Sequence, residues 1–452
     1  MKKLINKSTI IKLSIAVTLS FISVVLVSNY FKTIKVNNLK SIVNEPCYYS
    51  FSNGYTFNVG DSIKISKFTD DSNYIFEITN VITKNKKVFQ PSNEIFDLSD
   101  KKFHNLNHSL VTDHLIADSA GIYILTLKND RNTFHDVFFV NQTNIEPKIK
   151  IVLSDYTWCC YNSFGGKSNY IDKITPKSRI FIDNLRRRFN FLAPLGKHSG
   201  GSNSVYKPST AYHLAIKRPN LSNKNEIETF LKDNMKVIEG KKYHLVVSEL
   251  PLIKLLYNNY PNQFQILDCK QFADQSYSNS KGLIIFNGHT EYWSSRMIGR
   301  LNSEKTKNNI LFLSGNNMFR KVERLNGFLT VNQQIMPKEV ISPILGTFYT
   351  STDYDKNSSL ILKDTSHFLF EGINKMEIGG EYVASVETDK INMYTGSNVT
   401  VLASGKNILC DVVLVKNNEN YLLNLSSNGS YNGLAEPNFN RFIKNFIDFS
   451  IK

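Results

Sequence analysis

Four apolar runs constrain the fold of this chain more than any other feature. They are Lys148-Ile149-Lys150-Ile151-Val152-Leu153-Ser154, Tyr243-His244-Leu245-Val246-Val247, Gly282-Leu283-Ile284-Ile285-Phe286-Asn287 and Asn309-Ile310-Leu311-Phe312-Leu313-Ser314. None alternates cleanly, and a strand can be apolar at successive positions only where both faces are covered. Helix-forming stretches lie between them, at 178–190, 226–236 and 294–307. Strand–helix alternation of this kind predicts an α/β core with a mostly parallel sheet. From about Gly346 the chain returns to short β-type runs, and it closes on an amphipathic stretch from Asn438 to Phe449.

Upstream the rhythm differs. Ser62-Ile63-Lys64-Ile65-Ser66, Tyr74-Ile75-Phe76-Glu77-Ile78, Gly121-Ile122-Tyr123-Ile124-Leu125-Thr126-Leu127 and Val137-Phe138-Phe139-Val140 are short β-type runs separated by turns. Their length and spacing predict an immunoglobulin-like β-sandwich over residues 47–146, ahead of the α/β portion at 147–452. His104, His108 and His114 fall in one loop-rich stretch there and read as surface residues.

The first residues bear on compartment. Lys2, Lys3, Lys7 and Lys12 precede an uncharged apolar stretch from Leu13 to Phe31. At about 1.5 Å per residue, a helix of that length approaches the roughly 30 Å core of a bilayer. The basic flank predicts a cytoplasmic stub and membrane helix over 1–31, a tether over 32–46, and a chain otherwise outside the cytoplasm. A cleaved signal is the alternative, although Leu26-Val27-Ser28 makes a poor cleavage site. Of five cysteines, Cys47, Cys159, Cys160, Cys269 and Cys410, none forms a C-x-x-C pair, which argues against a thiol-exchange or cysteine–zinc site. The formal charge of +15 comes from lysines scattered among asparagines, so no nucleic-acid surface is expected.

Ligands of open α/β sheets bind beyond the carboxyl ends of the strands. Three segments there are rich in polar and aromatic side chains. One is Gly288-His289-Thr290-Glu291-Tyr292-Trp293-Ser294, in which an extended backbone turns His289 and Glu291 the same way. An imidazole beside a carboxylate can bind a metal or act as a base with its orienting partner. The second, Ser314-Gly315-Asn316-Asn317, brings an amide to the same rim. The third, from Tyr156 to Tyr170, places aromatic residues beside Gly165-Gly166. Each also has a plain structural explanation: a satisfied His–Glu pair, a helix cap or a tight turn.

Tyr161-Asn162-Ser163-Phe164-Gly165-Gly166-Lys167-Ser168, Gly288-His289-Thr290-Glu291-Tyr292-Trp293-Ser294 and Leu313-Ser314-Gly315-Asn316 resemble, in order, motifs of the large (β) subunit of N,N-dimethylformamidase and its relatives. The likeness takes in Ser119-Ala120-Gly121-Ile122-Tyr123, Gly379-Gly380-Glu381 and Leu425-Ser426-Ser427-Asn428-Gly429, and spans from about residue 55 to the C-terminus. This resemblance implies a glutamine-amidotransferase-like core and an iron held by two tyrosines and one glutamate. It implies that Tyr161 and Glu291 are metal ligands, that His289 lies just behind the ligands or handles protons, that Asn316 orients or polarises the substrate carbonyl, and that Glu381 activates water. One position departs from the pattern. Where relatives carry tyrosine after an Arg-Pro pair, Arg218-Pro219 is followed by Asn220, with Tyr206 or Tyr212 as the nearby substitute.

The expected activity is therefore metal-assisted hydrolysis of the C–N bond of a small amide outside the cytoplasm. The resemblance leaves room for an oligomer or a small partner subunit. The rival expectation is a non-catalytic, membrane-tethered module that holds a cell-envelope ligand in the same cleft.

Overall fold

The structure, a computed structural model, describes residues 20, 48–51, 54–68, 75–89, 113–128, 133–162, 168–169, 212–216, 220–233, 243–275, 281–325 and 327–452. The N-terminal strands are β1 (Tyr48–Phe51), β2 (Thr56–Asn58), β3 (Ser62–Phe68), β4 (Ile75–Asn80), β5 (Lys86–Phe89), β6 (Asp113–Ile116), β7 (Gly121–Lys128) and β8 (Thr133–Asn141). They form a three-stranded sheet, β1-β3-β6, and a five-stranded sheet, β2-β8-β7-β4-β5, in which β2 runs parallel to β8. Strands β7 and β8 are buried along almost their whole length. On one face Tyr123 stacks on Phe138 at 4.9 Å; on the other Ile122, Ile124, Val137 and Phe139 join the apolar core of the rest of the molecule.

The following elements are β9 (Ile149–Val152), α1 (Asp155–Tyr161), β10 (Tyr212–Ala215), α2 (Leu221–Lys232), α3 (Leu245–Asn259), β11 (Phe264–Leu267), α4 (Cys269–Asp274), β12 (Leu283–Phe286), β13 (Tyr292–Ser294), α5 (Ser295–Glu304) and β14 (Asn309–Phe312). Beyond them come β15 (Arg320–Leu325), β16 (Phe328–Ile335), α6 (Lys338–Leu345), β17 (Phe348–Ser358), β18 (Leu360–Leu362), β19 (Glu377–Ile378), β20 (Ala384–Lys390), β21 (Val399–Gly405), β22 (Asp411–Asn417), β23 (Asn420–Asn424), α7 (Ser430–Gly433) and α8 (Pro437–Ile451). The central sheet has nine strands in the order β11-β9-β12-β14-β23-β22-β21-β18-β19. From β11 to β23 every pairing is parallel, and from β23 to β19 every pairing is antiparallel. Strands β9, β12 and β14 are buried at each position, which is why their sequences do not alternate.

Several expectations are corrected here. The sheet is mixed rather than mostly parallel, and among the described residues strand outweighs helix, so this is not a clear glutamine-amidotransferase-like α/β core. The physical reason lies in the last third, whose β-runs add to the same sheet as antiparallel hairpins instead of folding apart. The immunoglobulin-like sandwich ahead of such a core is not the arrangement seen either. One face of the five-stranded sheet packs into the main core, and Asn141 at its end pairs both ways with the backbone of Ile266 on the edge strand β11, at 2.9 and 2.7 Å. The single-pass membrane assignment is also withdrawn: among the described residues no helix is long and apolar enough to cross a membrane. The Leu13–Phe31 stretch lies outside those residues except for Ser20, as do the helix expected at 178–190 and His104 and His108.

The Tyr243–Val247 run is not a strand. Leu245–Asn259 is a helix whose apolar residues are buried, and the neighbouring strand is β11, from Phe264. A short apolar run buried all round looks the same in either conformation. Cys159, Cys160, Cys269 and Cys410 are buried free thiols, as two adjacent small hydrophobes would be.

Candidate active site

Four parallel strands deliver the site at their carboxyl ends. After β9 the chain enters α1, whose last residue is Tyr161; after β12 it passes through Gly288 to His289 and Glu291. After β14 it turns at Gly315 and Asn316, and after β23 it reaches Asn428. Strand β20 adds Glu387 and Asp389 from the side. Two glycines make this convergence possible. Gly288 has φ +71°, and a Cβ there would stand 2.3 Å from Cγ of Glu249. At Gly315 a Cβ would meet the carbonyl oxygen of Glu387 at 2.6 Å. Only a residue without a side chain lets these backbones approach so closely.

At the centre lies a mesh of oxygen and nitrogen atoms. The Tyr161 hydroxyl donates to Glu291 Oε2 at 3.1 Å and lies 3.4 Å from His289 Nε2. His289 Nε2 is 3.3 Å from Glu291 Oε2 and 3.3 Å from Glu387 Oε2. Asn428 Nδ2 donates to Glu387 Oε2 at 2.7 Å and its Oδ1 accepts from the Gly315 amide at 3.2 Å, while His289 Nδ1 lies 2.9 Å from that Nδ2 and 3.2 Å from that Oδ1. A protonated imidazole would donate from both nitrogens, through Nδ1 to Asn428 Oδ1 and through Nε2 toward the two carboxylates. Arg320 Nε donates to Glu291 Oε1 at 3.1 Å. The rings of Tyr161 and His289 lie 4.8 and 5.2 Å from that of His244.

Burial sets the protonation tendencies. Removal from water pulls His289 down, but the Glu387 charge and the hydrogen-bonded Glu291 carboxylate outweigh it, and its pKa stands above the ordinary range. Burial raises Glu387 despite the opposing pull of His289, and pushes Asp389 up to about 8. His244 is driven the other way, down to about 3, by burial and by the neighbouring imidazole. Glu387, Asp389 and His244 shift as groups held away from water do, and His289 departs from that sign because two carboxylates face it.

Of the residues singled out from sequence, Tyr161, His289, Glu291 and Asn316 meet in this mesh. Asn316 has φ +53°; its Nδ2 donates to Glu387 Oε2 at 3.2 Å, its backbone amide donates to Asp389 at 2.8 Å, and its buried Oδ1 has no partner among the described residues. Glu381 is not in the mesh. It is exposed on the turn before β20, and the carboxylate in the site is Glu387, six positions on. Sequence reasoning missed Glu387 and Asn428, although Glu387 and Asp389 repeat the two-residue spacing of His289 and Glu291. Asn220 is buried with Nδ2 3.5 Å from the Tyr55 hydroxyl. Gly165, Gly166, Tyr206, Arg218 and Pro219 lie outside the described residues, and of Tyr212 only the backbone is described.

The donor set suits a hard cation. Ligand atoms about 2.1 Å from a common ion sit about 3.0 Å apart across an octahedral edge and about 3.4 Å across a tetrahedral one. The Tyr161 hydroxyl and Glu291 Oε2, the two ligands that the resemblance names, lie 3.1 Å apart, inside that interval. Among the described residues no group of three or more His, Cys, Asp or Glu side chains could hold a metal ion. Among the described residues, Arg320 is the permanent cation seen against Glu291.

Comparison with known proteins bears on the motifs. Residues 117–338 match a family described as N,N-dimethylformamidase beta subunit-like, C-terminal, and the resemblance drawn from the motifs holds over that stretch. No curated protein matches the chain. Among solved structures, a GMP synthase component from Thermoplasma acidophilum aligns at 11% identity and TM-score 0.28, covering 47% of this chain and 91% of its own. An exo-β-1,4-mannosidase from Opitutaceae bacterium strain TAV5 aligns at 12% identity and TM-score 0.27, covering 52% of this chain and 39% of its own. Likeness that slight carries no argument about fold or chemistry.

Proposed function

We propose that this chain, which resembles the N,N-dimethylformamidase beta subunit-like family over residues 117–338, hydrolyses the C–N bond of a small amide with the help of a bound metal ion. The observation that carries this reading is the meeting of Tyr161, Glu291 and His289 within 3.1–3.4 Å at the carboxyl ends of parallel strands. Tyr161 and Glu291 would hold the ion, with iron as the resemblance implies. When bound, such an ion would polarise the amide carbonyl and acidify water.

The chain's own groups supply the proton handling. Glu387 accepts a proton from the attacking water, and His289 Nε2, 3.3 Å from the same carboxylate oxygen, passes one to the departing nitrogen. Water adds to the carbonyl carbon, the C–N bond breaks, and a carboxylic acid and an amine leave. Asn316, held between Glu387 and Asp389, orients the carbonyl.

The test is iron uptake and amine release by the full chain. Glu291→Ala is expected to abolish the first and to lower the second by about a hundredfold or more. A wild-type chain that takes up no iron, or a Glu291→Ala variant that hydrolyses amides at the wild-type rate, would sink the proposal. Asn220 favours a second reading, in which the cleft binds a ligand without turning it over. Thermal stabilisation by small amides with no amine released would select that one.

A further inference from the structure

The Glu291 carboxylate is divided. Its Oε2 faces Tyr161 and His289, while its Oε1 accepts from Arg320 Nε at 3.1 Å. The arginine has little freedom to be elsewhere. Its backbone amide donates to the Glu291 carbonyl at 2.9 Å, β15 pairs in parallel with β13, which begins one residue after Glu291, and the side chain is buried with Glu291. The Met318 amide donates to the Thr290 carbonyl at 3.0 Å, tying the two segments together one step earlier. A charged hydrogen bond of this kind, made out of water, is among the strong ones a carboxylate can accept.

We infer that Arg320 is a positioning residue that keeps Glu291 a one-oxygen ligand and so holds open a place on the metal for substrate or water. This rests on the proposed metal site. A carboxylate with both oxygens free can chelate an ion through both, taking up two positions. With Oε1 engaged by Arg320, Oε2 is the oxygen turned toward Tyr161 and His289, and the position that Oε1 would fill is left to substrate or water. A residue that merely supported the site would lower metal affinity when removed. A residue with this role would leave affinity intact and close the site.

The full-length wild type, Arg320→Met and Arg320→Lys are titrated with iron(III) supplied as its citrate complex, and folding is checked by thermal unfolding. The iron-loaded proteins are then titrated with azide, a small anion that takes an open position on iron(III). Arg320→Met is expected to bind iron as tightly as wild type or more tightly, and to bind azide at least about tenfold more weakly. Arg320→Lys, which keeps a cation with a different reach, is expected to fall between the two and provides the comparison if the methionine variant does not fold. Unchanged azide binding in a folded variant, or an iron affinity lowered by about tenfold or more, would overturn the inference. A wild type that takes up no iron fails at the first step, which marks failure of the proposed function and not of Arg320's place in it.

Discussion

At the scale of single residues, the site turns on which carboxylate is inside it. Glu387 Oε2 lies within reach of His289, Asn316 and Asn428, whereas Glu381 is exposed on a turn. Replacing Glu387 by glutamine keeps the shape but removes the base. Amide hydrolysis by Glu387→Gln is therefore expected to fall by about a hundredfold to ten-thousandfold, the usual worth of a placed acid–base group. Glu381→Gln is expected to match the wild type. Initial rates of amine release decide between them, and the reverse ranking would return the role to Glu381. His289, Glu291 and Asn316 were legible in the sequence because each directly follows a buried strand, so their convergence follows from the sheet. Glu387 and Asn428 were not, because β20 pairs antiparallel with β17, and Asn428 follows a strand that ends a hairpin. The β17–β20 pairing spans a long connection and leaves no periodic trace.

At the scale of elements, β12, α1 and α3 are locked around one buried acid. Glu249 of α3 accepts through Oε1 from the Ser154 amide at 3.2 Å, from the Ser154 hydroxyl and from Trp158 Nε1 at 2.9 Å, at the start and middle of α1. Its carbonyl accepts from Asn287 Nδ2 at 2.9 Å, and its side chain lies directly beneath Gly288. Burial raises the Glu249 pKa well above the ordinary range. The helix carrying Tyr161 and the turn carrying His289 are thus referenced to the same side chain. Gly288→Ala would force a methyl group onto Glu249 at a positive φ, and a loss of roughly 2–4 kcal/mol in urea unfolding is expected. A stability within about 0.5 kcal/mol of wild type would show that the contact is not tight. The glycine was visible in the sequence but its need was not. The residue that demands it sits on α3, whose opening run, Leu245-Val246-Val247, imitates a strand because helix and strand look alike when every side is covered.

At the scale of the whole molecule, stability should depend on pH through acids that folding removes from water. Glu226 of α2 is pushed up to about 8 by burial, and its carboxylate accepts from the His244 amide at 2.9 Å. Tyr243 and Tyr431 lie nearby, the first donating to Asp233 at 2.8 Å and the second accepting from the Tyr243 amide at 2.5 Å. No cation is among the causes of the Glu226 shift. Asp155 is likewise raised to about 7 by burial and by the adjacent Asp268. An acid whose folded pKa is raised stabilises the fold fully below its unfolded pKa, and that contribution is lost as pH rises through the folded value. The window for Glu226 thus runs from about pH 4.5 to about pH 8, and stability should decline across it. Glu77 and Glu436, whose pKa values are lowered, weaken the fold only on the acid side of that window. Glutamine at 226 would still accept from the His244 amide but could not ionise. Glu226→Gln is therefore expected to match the wild type near about pH 5 and to exceed it by on the order of 2–4 kcal/mol near about pH 8. Urea unfolding at the two pH values measures this, and an equal decline in both proteins would place the ionising group elsewhere. The same comparison bears on the site, since Glu226 holds the amide of His244, whose ring packs against Tyr161 and His289. If deprotonation of Glu226 loosens that contact, the wild type should lose amide turnover above about pH 8 while Glu226→Gln keeps it.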